Sequence, residues 1–174
     1  MGAAPETVVL ERDRDLAGRR NDIWIRRGFF GLIALIPVLA LANLFGQRPQ
    51  TSQAGNDVAS LTIRAPSRVR SGLLFEARFH IRARQELRNA RIVLSPGWLE
   101  SMTLNTVEPA PIGESSMDGK VSLQLGHIRA GTSHLLFLQF QINPTNVGHR
   151  DQSVWLYDGP RLLLTLHRTV TVFP

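Results

Sequence analysis

The sequence predicts an all-β domain, an antiparallel β-sandwich of seven to eight strands, preceded by a single transmembrane helix. Three observations carry this reading. Residues 28–46 contain no charged side chain. From residue 59 onward the apolar residues recur with a period of two, as in half-buried strands. Turn dipeptides punctuate that alternation, and no convincing amphipathic helix interrupts it.

The apolar segment lies in "RRGFFGLIALIPVLALANLFGQ". Nineteen uncharged residues make about 28 Å of helix, close to the hydrocarbon thickness of a bilayer. Trp24 precedes the run with Arg26 and Arg27, and we assign these three to the membrane interface, where an indole and cationic side chains suit the headgroup layer. Arg19 and Arg20 add to the same flank, and only Arg48 sits close on the other side. The positive-inside rule then puts residues 1–27 in the cytoplasm and the rest beyond a bacterial plasma membrane. A rival reading is an export signal. Ala40-Leu41-Ala42 has the form of a cleavage site, Pro37 lies just upstream, and "RRGFF" resembles a twin-arginine motif without its Ser or Thr. Cleavage after Ala42 would release a soluble secreted domain. Against it, Leu44 and Phe45 prolong the apolar run, and the preceding tail carries five acidic residues. Both readings export the C-terminal part. The tail itself, "VVLERDRDLAGRRNDIWIRR", alternates charge signs and reads as an interfacial helix or a solvated segment.

Residues 47–58 are polar and read as a flexible tether to a domain over 59–174. Strands are expected near 61–65, 73–84, 89–95, 101–107, 120–126, 133–142, 152–158 and 162–173. The alternation is clearest where Phe75, Ala77, Phe79, Ile81 and Ala83 interleave with Glu76, Arg78, His80, Arg82 and Arg84. Leu136, Leu138, Phe140 and Ile142 share one parity, as do Leu162, Leu164 and Leu166. Asp118-Gly119 and Asp158-Gly159 are hairpin dipeptides.

The stretches "LTIRAPSRVRSGLLFEARFHIRARQELRNARIVLSPGW" and "LQLGHIRAGTSHLLFLQFQI" resemble bacterial immunoglobulin-like domains of the cell-adhesion-related kind. The likeness lies in an opening strand, a Gly turn, a long second strand, and an "l-G-x-l-x-x-G" turn before another long strand. It implies an immunoglobulin-like sandwich that serves as an interaction or spacer module, and it carries over no catalytic residue. The Cys…Trp…Cys core of antibody domains is missing, and Trp98 is expected to act as a lid on the core.

Composition narrows the chemistry. The chain has no Cys, which excludes disulfides and thiolate catalysis. Its net charge is +6 with Lys120 as the single Lys, a bias we read as GC-rich bacterial coding. The pattern Gly-x-Ser-x-Gly fails at Met117, and no His-Glu-x-x-His or calcium loop occurs. No cofactor, metal or catalytic residue is therefore assigned. His80 and His167 stand at outward parity as a conceivable metal pair, and His127, His134 and Glu114 are the residues an enzymatic alternative would need.

Two surface features point to partners instead. Within the series Arg64, Arg68, Arg70, Arg78, Arg82, Arg84, Arg88 and Arg91, the residues Arg78, Arg82 and Arg84 share one strand face. They are candidates for contact with lipid headgroups or another anionic envelope surface. Leu135, Phe137, Trp155 and Tyr157 oppose the core parity of their strands, so they form a candidate patch for a protein partner unless a loop such as 105–117 covers them. Nucleic acid is not expected as a partner on the exported side. The expected role is binding or assembly, accessory to another membrane or envelope protein. A loop-end ligand site or enzymatic site is the alternative from another class.

Overall fold

The computed structural model describes residues 22–41 and 47–174, which fall into two separate units. Among the described residues the first contains helix α1 (Asp22–Leu41), with Pro37 inside it. Its segment Ile23–Leu41 is long and apolar enough to cross a membrane, a test that an N-terminal signal sequence also passes. The helix starts at Asp22 rather than at Gly28. The reason is that loss of charge marks where lipid contact becomes favourable, whereas backbone hydrogen bonding runs on through Trp24, Arg26 and Arg27. Residues 42–46, the last part of the expected span, and the tail before residue 22 lie outside the described residues.

The second unit is an antiparallel β-sandwich. Its strands are β1 (Pro49–Gly55), β2 (Ala59–Pro66), β3 (Arg68–Arg70), β4 (Leu74–Ala83), β5 (Leu87–Leu94), β6 (Met102–Glu108), β7 (Gly113–Met117), β8 (Lys120–Ile128), β9 (Ser133–Ile142), β10 (Gly148–Asp151), β11 (Val154–Asp158), β12 (Arg161–Leu166) and β13 (Thr169–Phe173). One layer has the order β1-β2-β4-β9-β6 and the other β12-β11-β5-β8-β7. A small third sheet, β10-β13-β3, contains a parallel pair in which Val172 faces Val69.

The alternating strands form as the period of two requires. Along β4 every second residue from Phe75 to Ala83 is buried and the others are exposed. The two expected hairpins are present. Asp118 and Gly119 both adopt positive φ (53° and 72°) between Met117 and Lys120, the backbone that a two-residue turn needs to match strand twist. At the other, Asp158 Oδ1 accepts the amide of Asn89 at 2.7 Å and so ties the β11–β12 turn to β5.

The described residues form thirteen strands where seven or eight are expected, and four differences stand out. The tether expected over 47–58 is mostly strand β1, paired with β2 from Pro49↔Pro66 to Gly55↔Ser60. Asn56 makes the reversal: its Oδ1 accepts the amides of Val58 and Ala59 at 2.9 and 3.0 Å, and its Nδ2 donates to Leu163 O at 2.9 Å. Residues 113–117, expected as a covering loop, form edge strand β7. The run 162–173 divides into β12 and β13. Leu162 departs from its expected inward parity because a register slip at Leu156/Tyr157 pairs it with Tyr157, and it is exposed.

The core lies between the two layers. Phe79 and Phe140 from the first layer meet Trp98, at ring-centroid distances of 5.4 and 5.3 Å, and Phe75 stacks on Phe140 at 5.1 Å. Trp98 is fully buried, so it is a centre of the core rather than a lid on it. It gets there on a short turn, Pro96–Trp98, whose Gly97 rests against the backbone of Asp151 so closely that a Cβ would collide with the Asp151 carbonyl oxygen.

Candidate functional site

The outer face of the first layer carries a row of charged side chains. Strand β4 sends Glu76, Arg78, His80 and Arg82 outward, and Arg84 continues the row one step past the strand end. Neighbours two apart on one face stand about 6.8 Å from each other at strand rise. Across the ladder, Arg64 of β2 lies directly opposite Arg78, Thr62 opposite His80, and Ser60 opposite Arg82. Like charges directly opposite each other in a sheet repel unless something screens them. Arg78 has two partial partners: Glu76 Oε1 accepts from its Nε, and its guanidinium lies 5.4 Å from the ring centroid of Phe137. Arg64, Arg82 and Arg84 have no carboxylate partner among the described residues. Two shallow hollows flank the row. One, of about 280 Å³, is lined by Gln47, Arg64, Glu76 and Arg78; the other, of about 380 Å³, by Gln53, Ser60, Thr62 and Arg84. The sheet thus presents cations beside hydroxyl and amide groups.

The aromatic patch is not one surface. Leu135 and Phe137 are on β9, on the same outer face as the arginines, with Leu135 opposite His80. Trp155 and Tyr157 are on β11, on the outer face of the other layer. The four residues therefore cannot meet a partner together. Nor does the segment 105–117 cover them as a loop. Cations cover the rings instead: Arg78 over Phe137, Lys120 over Trp155 at 5.0 Å, and Arg91 over Tyr157 at 4.6 Å. Such contacts are attractive and use the apolar stems of the cationic side chains to shield the ring. Of the four, Leu135 is the one that remains an exposed large apolar residue.

The helix carries its own pairs. Arg27 lies over Trp24 at 5.4 Å and Arg26 over Phe30 at 5.8 Å. These three interface candidates form the first turns of α1 rather than a flank beyond it.

The histidines do not converge. His127 Nε2 is 2.8 Å from Glu86 Oε1 at the surface. His134 sits at the end of β9 on the core parity, where burial pushes its pKa below the usual histidine value. Glu114 is on edge strand β7, opposite Leu123. His80 is on the outer face of β4, and His167 follows β12. Among the described residues no group of three His, Cys, Asp or Glu side chains is placed to hold a metal ion. Ser153, Asp151 and His167 do touch, but in the wrong order for a nucleophile: the Ser153 hydroxyl donates to Asp151 Oδ1 at 2.6 Å, and His167 Nδ1 lies 3.2 Å from that hydroxyl. The carboxylate does not orient the imidazole, and Ser153 is buried.

Arg168 is a residue that the sequence reading missed. Its Nη2 donates to the carbonyl of Pro66 at 2.8 Å, and its guanidinium lies 5.3 Å from the Trp98 ring. Burial lowers its pKa to about 10. The signal was available, since Arg168 falls on the inward parity of Leu164, Leu166, Val170 and Val172.

No family model matches this chain, and no curated protein matches it. Among solved structures it is similar to a CARDB domain from Pyrococcus furiosus, described in complex with di-metal ions (12% identity, TM-score 0.39, 72% of this chain and 94% of that one). It is also similar to a non-cellulosomal cohesin from the hyperthermophilic archaeon Archaeoglobus fulgidus (11% identity, TM-score 0.40, 62% and 86%). A third is CaCohA2 from Clostridium acetobutylicum (14% identity, TM-score 0.45, 67% and 92%).

Proposed function

We propose that this is a single-pass bacterial membrane protein whose exported immunoglobulin-like sandwich is a binding and assembly module, accessory to another membrane or envelope protein. The tail before α1 is cytoplasmic on this reading and the sandwich is extracytoplasmic. The observation that carries the binding role is the basic row on the first layer. Four arginines share that face, and a single carboxylate, Glu76, answers them within the row. An exposed array of that kind attracts a surface of opposite charge, so the contact is with an acidic protein patch or with anionic headgroups. Binding rather than catalysis fits the chemistry, because the side chains gathered at the surface are cations and aromatic rings, not nucleophile–base pairs.

Photo-crosslinking in membranes tests this. A crosslinker at Thr62, opposite His80 on the same face, should capture a membrane or envelope component, and adding Arg78→Glu, Arg82→Glu and Arg84→Glu should lose it. Capture that survives the triple reversal removes the basic row from the function.

A second reading keeps the sandwich and releases it. The apolar helix is near the N-terminus, as in an export signal, and Ala40-Leu41-Ala42 supplies a cleavage form. Mass spectrometry of the mature chain separates the two: a first residue at Asn43 means release, and an intact tail means anchoring.

A further inference from the structure

The opposite layer contains a groove of about 540 Å³, within the range of sites that hold small ligands or a few residues of a peptide. Two register shifts create it. Strands β5 and β8 pair as Leu87↔Ile128, then Ala90↔Gly126, then Arg91↔Gln124, so each strand carries an irregularity at the same place. Gly126 takes the left-handed backbone (φ 76°) that such a bulge needs. The walls are held by backbone bonds: Ile112 N donates to Gln124 O at 2.8 Å, and Gly159 N donates to Asn89 O at 2.9 Å. Asn89, Arg91 and Gln124 supply the polar lining, and Ile112 and Pro160 the apolar rim.

Arg91 is the group without a counterpart. It has no carboxylate partner among the described residues, and its Nε–H, shielded from solvent, has no acceptor among them. No acid lines the groove. Asp158, next to Tyr157 on β11, has its Oδ1 engaged by the Asn89 amide. A half-buried guanidinium held in place by Tyr157 and left uncompensated calls for an anion from outside.

We propose that this groove binds an acidic side chain, Asp or Glu, presented on an extended segment of a partner protein. One guanidinium neutralises one negative charge, which fits a carboxylate and would leave a phosphate dianion half satisfied. The carboxamides of Asn89 and Gln124 each carry a donor and an acceptor, the pairing that peptide groups need. A sugar would want a free aromatic face to stack on, but Arg91 covers Tyr157 and Lys120 covers Trp155. The site stands apart from the basic row, on the other layer, and does not depend on that row's partner.

Saturation-transfer NMR with the full-length protein in zwitterionic nanodiscs tests it, using the pentapeptide Gly-Ala-Glu-Ile-Gly, blocked at both ends, as probe. Binding should weaken about tenfold or more when the probe carries Gln in place of Glu, and by as much in Arg91→Gln. Arg91→Lys should recover part of it, and Arg82→Glu should change nothing. Equal binding of the Gln peptide overturns the proposal without reliance on any variant. So does unchanged binding in a folded Arg91→Gln. Absence of binding up to about 10 mM probe, or binding of tetragalacturonate in place of the peptide, overturns it as well.

Discussion

Single residues do unequal work in this sandwich. Arg168 is buried yet charged at neutral pH, and it is held by the Pro66 carbonyl and the Trp98 ring. Arg168→Ala should cost about 2 kcal/mol, the worth of hydrogen bonds to a charged group, read as a shift of the denaturant midpoint. Gly97→Ala should cost about as much for a different reason, since its Cβ has nowhere to go but the Asp151 backbone. His134 sets an acid limit. Burial lowers its pKa, so below about pH 6.5 the unfolded chain takes up a proton that the folded chain resists. Stability therefore falls as pH falls through that range, and the loss should be smaller in His134→Leu when thermal midpoints are compared at neutral and at acid pH. An equal loss in both proteins assigns the acid sensitivity elsewhere.

At the scale of elements, alternation carries most of the legible information. β4 and β9 could be read residue by residue because each buries one face and wets the other. Asp118-Gly119 located its hairpin because few other dipeptides take two successive positive φ angles, whereas the β11–β12 turn is made one step on, by Gly159 and Pro160, with Asp158 paired to Arg161. Strand β1 was illegible for a physical reason: it is an edge strand with an exposed or half-exposed face on both sides, held by its ladder to β2, and ladder bonds leave no trace in side-chain polarity. β7 was hidden in the same way. The outward position of Leu162 and the groove around Arg91 depend on register shifts, which belong to pairs of strands and not to either sequence alone. The basic row was visible in outline as Arg78, Arg82 and Arg84; its fourth member, Arg64, entered through the β2–β4 register. The strand assignment of β1 has its own test. Asn56→Ala should cost about 2 kcal/mol, since two amide bonds and one carbonyl bond depend on that side chain. Alternate amides between Gln50 and Ala54 should be protected from exchange, and full exchange there would restore the tether.

The whole molecule has an apolar helix and a sandwich with a basic outer face on one layer and a bulged groove on the other. Charge reversal at Arg78, Arg82 and Arg84 should leave stability within about 0.5 kcal/mol, because all three side chains are exposed, while it abolishes capture of the partner. The proposed partition across a membrane underlies the proposed function, and the absence of native Cys makes it directly measurable. Single cysteines at Ala3 and at Thr106 can be probed with a membrane-impermeant maleimide on intact spheroplasts. The account predicts that Thr106→Cys reacts at once and that Ala3→Cys reacts only after lysis, each on an uncleaved chain. Shielding of Thr106→Cys until lysis, beside a labelled outward-facing control, would contradict it.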